Sequence, residues 1–283
     1  MLKIWGGEFL DVDLLIWWSP CQWFSIAWKH LNFDDPRSKL FFEYVRLLRE
    51  IKPKYFLLEN VKMKKEWQDI ISRELWVEPI EINSSLVSAQ NRRRLYRTNI
   101  PGITQPEDKG ILLKDILEEN VDGWYYLTDN EIDMISKWKW FEKPLENIKT
   151  WEDKIGTLTT HVAKMSNSIK LVSVVDWEVR VKQATKQWYI VANEGDGISL
   201  AYPSSTTRRG RVIRSKANTI TTQWECWVLE NKRIRKLTPI ECERLQTLPD
   251  NYTAWVSDSQ RYKMLGNWWT VDVIAHIFSF INW

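Results

Sequence analysis

Glycine is the scarce residue in this sequence. A chain of 283 residues with average usage would hold roughly 20 glycines, and this one has 10. Cysteine is rare too. Cys21, Cys226 and Cys242 are an odd set with no paired spacing, which excludes a disulfide framework and gives no zinc site. His30, His161 and His276 stand at no spacing that suggests a metal site or a proton relay. No apolar run approaches the roughly 18 residues needed to cross a membrane, and the opening MLKIWGGEFLDVD lacks the layout of a secretory signal. A cytoplasmic protein with no membrane contact is expected. The net charge of +3 is too small to imply nucleic acid by itself.

Tryptophan is abundant instead, with 19 residues. The basic residues are clustered, in RRRLYR at 92 to 97, TTRRGRVIRSK at 206 to 216 and KRIRK at 232 to 236. Local clusters of this kind matter more for anionic partners than the sum does. Apolar residues make up 44% and charged residues 27%, an ordinary balance for a globular chain long enough to bury a full core.

DVDLLI (11 to 16) and KYFLLENV (54 to 61) are short apolar runs ending in polar residues, which suits strands of a buried parallel sheet with chemistry at their C-terminal ends. Between them SKLFFEYVRLLREIKP carries a helical period, with Ser38 placed to cap it and Pro53 after its end. A second helix is expected from about 64 to 75, and IEINSSLVSA (80 to 89) reads as a strand. From about 101 to 230 the texture turns to short strand-like pieces, read as a smaller, mostly β domain inserted into the first. Thr238, Pro239 and Glu241 then form a capping box with proline at the first helical position. The apolar TVDVIAHIFSFI is a closing helix. The expected divisions are 1–101, 102–232 and 233–283, the first and last forming one domain.

Ser19-Pro20-Cys21-Gln22 after an apolar strand is a candidate nucleophile loop, since a thiolate at a sheet's C-terminal edge can reach a substrate. A lone cysteine is by default a small buried hydrophobe, and Cys226 and Cys242 are read that way. Glu59 closes the second strand and would lie beside Cys21 if the two strands are neighbours. A half-buried Glu with a raised pKa can stay protonated and donate a hydrogen bond to a ring nitrogen; the bland reading is a solvated strand end. Arg92 and Arg94 fall on one face of an extended segment, where they could hold a phosphate or a base carbonyl, or simply line a basic edge.

In their order, SPCQ, DPRS with a helix, LLENV, QNRRR, a variable β region, LTPIECERLQ and MLGN resemble the DNA cytosine-5 methyltransferase family over most of residues 11 to 101 and 233 to 281. The resemblance implies an α/β, Rossmann-like sheet of the S-adenosylmethionine-dependent methyltransferases with an inserted, mostly β target-recognition domain at about 102 to 232. It implies that Cys21 adds to C6 of a cytosine, that Glu59 holds N3, and that Arg92 and Arg94 support the Glu and the cytosine O2. The base must leave the duplex to react. Pro20, Leu40, Asn267 and Trp269 match the flanks of the S-adenosylmethionine pocket. Gln22, Ser25, Arg208, Arg209 and Arg211 are the matching candidates for contact with double-stranded DNA. No metal is implied, and a monomer is expected.

The sequence departs from that family in two ways. The glycine-rich turn and acidic residue that hold the donor should precede DVDLLI and do not, so the sheet is expected to be N-terminally incomplete. The chain would then be a truncated enzyme or one half of a split one, assisted by a complementing N-terminal chain. A DNA-binding remnant without turnover and a transfer-RNA cytosine methyltransferase are the rival readings. Second, the family has glycine where this chain has Trp17 or Trp18, Trp23 and Trp268. Turn chemistry asks for glycine at Trp76, after a helix, and at Trp177, in an Asp-x hairpin. One expectation covers all of these: the source reads UGA as glycine and the sequence renders it as tryptophan. Converting about half of the tryptophans would restore the glycine count to roughly 20. Trp269 is the exception, since some family members carry tryptophan there.

Overall fold

The structure, a computed structural model, describes residues 12–18, 36–127, 172–175, 178–201, 205–221, 226–231 and 233–282. These fall into two compact units: the described part of Met1–Ser84, Arg92–Glu107 and Asp272–Trp283, and that of Ser85–Asn91 with Asp108–Val271. Residues 233–271 thus group with the middle of the chain.

In the first unit, strand β1 (Leu14–Trp18) leads to helix α1 (Pro36–Ile51), strand β2 (Tyr55–Val61), helix α2 (Lys65–Leu75) and strands β3 (Ile80–Asn83) and β4 (Arg93–Thr98). The sheet order is β1-β2-β4-β3. β1 and β2 are parallel, joined by α1 as the crossover that parallel neighbours need, as their apolar runs imply. β4 runs antiparallel to both β2 and β3, so the sheet is mixed.

Phe56 and Leu58 of β2 pack on Tyr44 and Val45 of α1 and on Ile71 and Leu75 of α2. Alternation along the strand sends Glu59 to the opposite face. Both helices are therefore fixed by apolar side chains on one side of the sheet, and Glu59 at the end of β2 emerges on the other.

Three local expectations change. α1 starts at Pro36, so Ser38 lies inside the helix; proline suits a first helical position because its φ is already helical. The strand expected over 80 to 89 stops at Asn83, and Ser84–Leu86 forms a 3-10 turn, with the Ser84 N–H bonded to the Arg92 carbonyl at 3.0 Å. Paired serines compete locally for backbone partners and so interrupt a strand. Trp76, the residue after α2, takes the left-handed conformation (φ 59°, ψ 26°) that the sequence assigns to glycine. Trp268, by contrast, is extended (φ −75°, ψ 164°), so its backbone makes no demand for glycine.

Helix α5 (Val271–Phe278) follows with Val273, Ile274 and Ile277 buried. Beyond it, the Asn282 carbonyl accepts from Lys54 Nζ (2.9 Å) and Tyr55 Oη (3.1 Å), tying the chain's last described residues to the start of β2.

The second unit is mostly antiparallel sheet. β5 (Val172–Val175), β6 (Glu178–Lys182) and β7 (Tyr189–Ala192) form one meander. β8 (Gly197–Ser199), β9 (Val212–Ile213), β10 (Cys226–Glu230) and β11 (Arg233–Lys236) form a second sheet in the order β11-β10-β8-β9. β10 is buried on both faces. Trp227 and Leu229 enter one core with Val179, Val181 and Ile198, and Cys226 and Val228 enter another with Ala217, Leu237 and Leu245.

Helix α3 (Pro239–Leu245) begins with the expected box: Thr238 Oγ1 accepts from the Glu241 N–H at 3.1 Å, and Glu241 Oε2 accepts from the Thr238 N–H at 2.8 Å. Helix α4 is Asp258–Asn267. No helix among the described residues is long and apolar enough to cross a membrane.

Candidate active site

The candidate site starts at the C-terminal end of β2. Glu59 is only 5% exposed. Across the sheet it pairs with Trp18, the last residue of β1, on one side and with Tyr96 of β4 on the other. β1 therefore ends in line with Glu59, and Cys21 follows that strand end after Ser19 and Pro20. Cys21 itself lies outside the described residues, as do Pro20, Gln22 and Ser25. The condition that the two strands be neighbours is met.

Arg94 shares a face of the sheet with Glu59, and its Nε stands 2.8 Å from Glu59 Oε1. Arg92, 4% exposed, acts on Glu59 electrostatically, and its own N–H donates to Asn83 Oδ1 at 3.1 Å.

Burial pushes the Glu59 carboxyl above the ordinary carboxylate range; the charges of Arg94 and then Arg92 oppose that rise without cancelling it. Burial, and next to it the negative charge of Glu59, raise the Tyr96 phenol. The result is a carboxyl that holds a proton more readily than a surface glutamate. Such a group can donate a hydrogen bond to a ring nitrogen.

A residue that pattern reading missed supports this edge. Arg97 is fully buried on the other face of β4, donating to Asn60 Oδ1 (3.2 Å), the Gln68 carbonyl (3.1 Å) and Ser72 Oγ (3.3 Å). It locks α2 and the residue after Glu59 onto the sheet. Burial lowers its pKa to about 10. Alternation does place Arg97 opposite Arg94, but nothing in the string RRRLYRT separates a buried lock from a solvated arginine.

Of the positions matched to a donor pocket, Leu40 lies on α1 with 38% exposure, and Asn267 is exposed at the end of α4. Trp269 is partly buried in the connection between α4 and α5. Gln246, also missed, pins that connection. Its Nε2 donates to the Leu265 carbonyl (2.7 Å), its Oε1 accepts from Thr270 Oγ1 (3.1 Å), and its carbonyl accepts from the Val271 N–H (3.0 Å).

The three arginines of the second unit part company. Arg209 is exposed, its Nε donating to the Ala184 carbonyl at 2.9 Å. Arg208 is partly buried and reaches Ser199 Oγ at 3.3 Å. Arg211 is 1% exposed and donates to the carbonyls of Ala201 (2.6 Å) and Ser199 (3.4 Å). Its donors serve the fold, and in this arrangement it does not face a ligand. Cys226 and Cys242 are buried, and burial pushes the Cys242 thiol well up, which disfavours the thiolate. Among the described residues no group of acidic, Cys or His side chains could hold a metal. His276 Nε2 lies 2.8 Å from the Thr104 carbonyl, an exposed structural contact.

Comparison with known proteins bears on the same residues. The chain is 30% identical to the type II methyltransferase M1.ScrFI of Lactococcus lactis subsp. cremoris over 97% of its own length, and it spans 63% of that protein. It is 29% identical to the type II methyltransferase M.HpaII of Haemophilus parainfluenzae, covering 90% of this chain and 67% of that one. Its fold is like that of the Entamoeba histolytica methyltransferase EhMeth, with a TM-score of 0.58 at 18% identity over 95% of this chain and 76% of the other. The family model described as C-5 cytosine-specific DNA methylase matches residues 2–71 and 83–283, a span that takes in both strand ends at the candidate site and the helices after the β region. On that match the chain belongs to the C-5 cytosine-specific DNA methylase family.

Proposed function

We propose that the protein transfers a methyl group from S-adenosylmethionine to C5 of a cytosine in double-stranded DNA. The observation that carries the reading is the register of β1 against β2, which sets Glu59 beside the strand end from which Pro20 and Cys21 continue. Glu59 is buried, protonated more readily than usual, and backed by two arginines.

The Cys21 thiolate adds to C6 of the cytosine, and the electron pair of the C5–C6 double bond moves toward C5. Glu59 donates a hydrogen bond to N3 and stabilises the charge that develops in the ring; Arg94 and Arg92 hold that carboxyl in place. After methylation, loss of the proton from C5 expels the Cys21 thiolate and restores the double bond, so the enzyme is unchanged. A stacked base exposes neither face of C6, so the cytosine must leave the duplex first. S-adenosylmethionine supplies an electrophilic methyl group. Pro20, Leu40, Asn267 and Trp269 are the positions matched to its pocket.

The antiparallel sheets between 172 and 236 support reading 102–232 as an inserted target-recognition region, with Arg208 and Arg209 as its candidate DNA contacts and Gln22 and Ser25 as candidates near Cys21. A monomer is sufficient for this chemistry. The test is transfer of labelled methyl from S-adenosylmethionine to duplex DNA, with transfer RNA as the competing acceptor. Label in cytosine of the duplex, abolished by Cys21→Ala, is the expected result. Label in transfer RNA alone would move the substrate class, and specific DNA binding without label would favour a binding protein that does not turn over.

A further inference from the structure

The tryptophans of the described residues are not used alike. Trp227 lies on β10, is 7% exposed, and fills a core with Val179, Val181, Ile198 and Leu229. Trp17, on β1, packs its ring 5.7 Å from that of Tyr44. These positions use an indole as an indole.

Trp76 and Trp188 do the opposite. Trp76 follows α2 at φ 59° with 88% of its surface in solvent, and Trp188 stands at φ 63° with 50% exposed. Trp188 closes the turn into β7, where Gln183 N–H donates to its carbonyl (2.9 Å) and its own N–H donates to the Thr185 carbonyl (3.0 Å). The left-handed region strains any residue with a Cβ and is an outlier for a bulky one. Among the described residues the other left-handed positions are Gly102, Gly110, Gly195 and Gly210 and the non-glycine residues Lys52, Ser215, Asn231, Thr247 and Asn251, so Trp76 and Trp188 are the two aromatic residues placed there.

Trp177, which the Asp-x pair of the sequence also marks for glycine, lies outside the described residues.

We propose that the protein made in its source carries glycine at positions 76 and 188 and tryptophan at 227, because its genome reads UGA as glycine. The inference concerns the covalent identity of the chain and does not depend on the methyl-transfer reading. Backbone geometry brings in Trp188, which pattern reading passed over, and it withholds support from Trp268, whose backbone is extended. The scarcity of glycine and the excess of tryptophan, 10 against 19, are what such a reading would produce.

Two measurements test it. The first is the codons of the source gene, with masses of peptides from the protein isolated from that source. UGA codons and glycine masses at 76 and 188, against UGG and a tryptophan mass at 227, are expected. Tryptophan masses at 76 and 188 overturn the proposal. The second uses recombinant protein with the sequence as written. Trp76→Gly and Trp188→Gly are each expected to raise the thermal midpoint by about 2 °C, while Trp227→Gly lowers it by roughly 10 °C or more. Equal losses from all three substitutions would mean that the exposed indoles contribute to the fold, and the proposal would fall.

Discussion

Two buried glutamates, one in each unit, face arginine in opposite ways. Glu241 is 0% exposed and every acceptor site on it is used: Oε1 takes the Glu118 N–H (2.9 Å) and Arg235 Nη2 (2.7 Å), and Oε2 takes the Thr238 N–H (2.8 Å) and Arg235 Nη1 (2.8 Å). Arg235, itself fully buried, also holds Glu230 at 2.6 Å. Glu59 is nearly as buried but is paired, among the described residues, with one guanidinium, Arg94 Nε at 2.8 Å from Oε1. A saturated carboxylate is a structural joint, whereas an unsaturated one with a raised pKa is held ready for a partner that arrives later.

Substitution should separate the two roles, and the largest effect belongs to the site. Glu59→Gln is expected to slow methyl transfer by about 10²- to 10⁴-fold, the range for loss of a positioned proton donor, while the circular dichroism spectrum and donor binding are retained. If that variant were as active as the parent, Glu59 would be a structural joint after all and the contrast would collapse.

Glu241→Gln should do the reverse. Leaving Arg235 buried with one charged partner instead of two is expected to cost about 3–5 kcal/mol in urea unfolding, with little change in rate per folded molecule. Loss of rate at full stability would break the comparison from the other side.

A smaller effect concerns pH. The folded-state pKa of Glu59 is raised, so its contribution to stability is fully present below the unfolded value near ~4.3 and is lost as pH rises through the higher folded value. Urea titrations through the weakly acid range should show that decline in the parent and not in Glu59→Gln. Smallest is the cap. Thr238→Ala removes the acceptor for the Glu241 N–H and should cost about 1 kcal/mol without altering the pH profile.

Much of this was legible in the sequence because it rests on local rules. The apolar runs of 14–16 and 55–58, the crossover helix between them, the Thr238 capping box and the αL position at 76 each follow from side-chain period or backbone sterics over a few neighbouring residues. The order of SPCQ, LLENV and QNRRR sufficed to name the family. The string alone could not distinguish arginines. Arg94 meets the candidate carboxyl, Arg97 locks a helix to the sheet, Arg211 is spent on carbonyls, and Arg209 is exposed.

The sequence by itself determined the two apolar strands, the crossover helix between them, the Thr238 cap and the left-handed position at 76, since those are properties of short stretches. Only the tertiary structure decided that β4 runs antiparallel, which carboxylate is saturated, and which tryptophans fill a core. Burial and hydrogen-bond saturation depend on partners far away in the chain, and no local pattern records them.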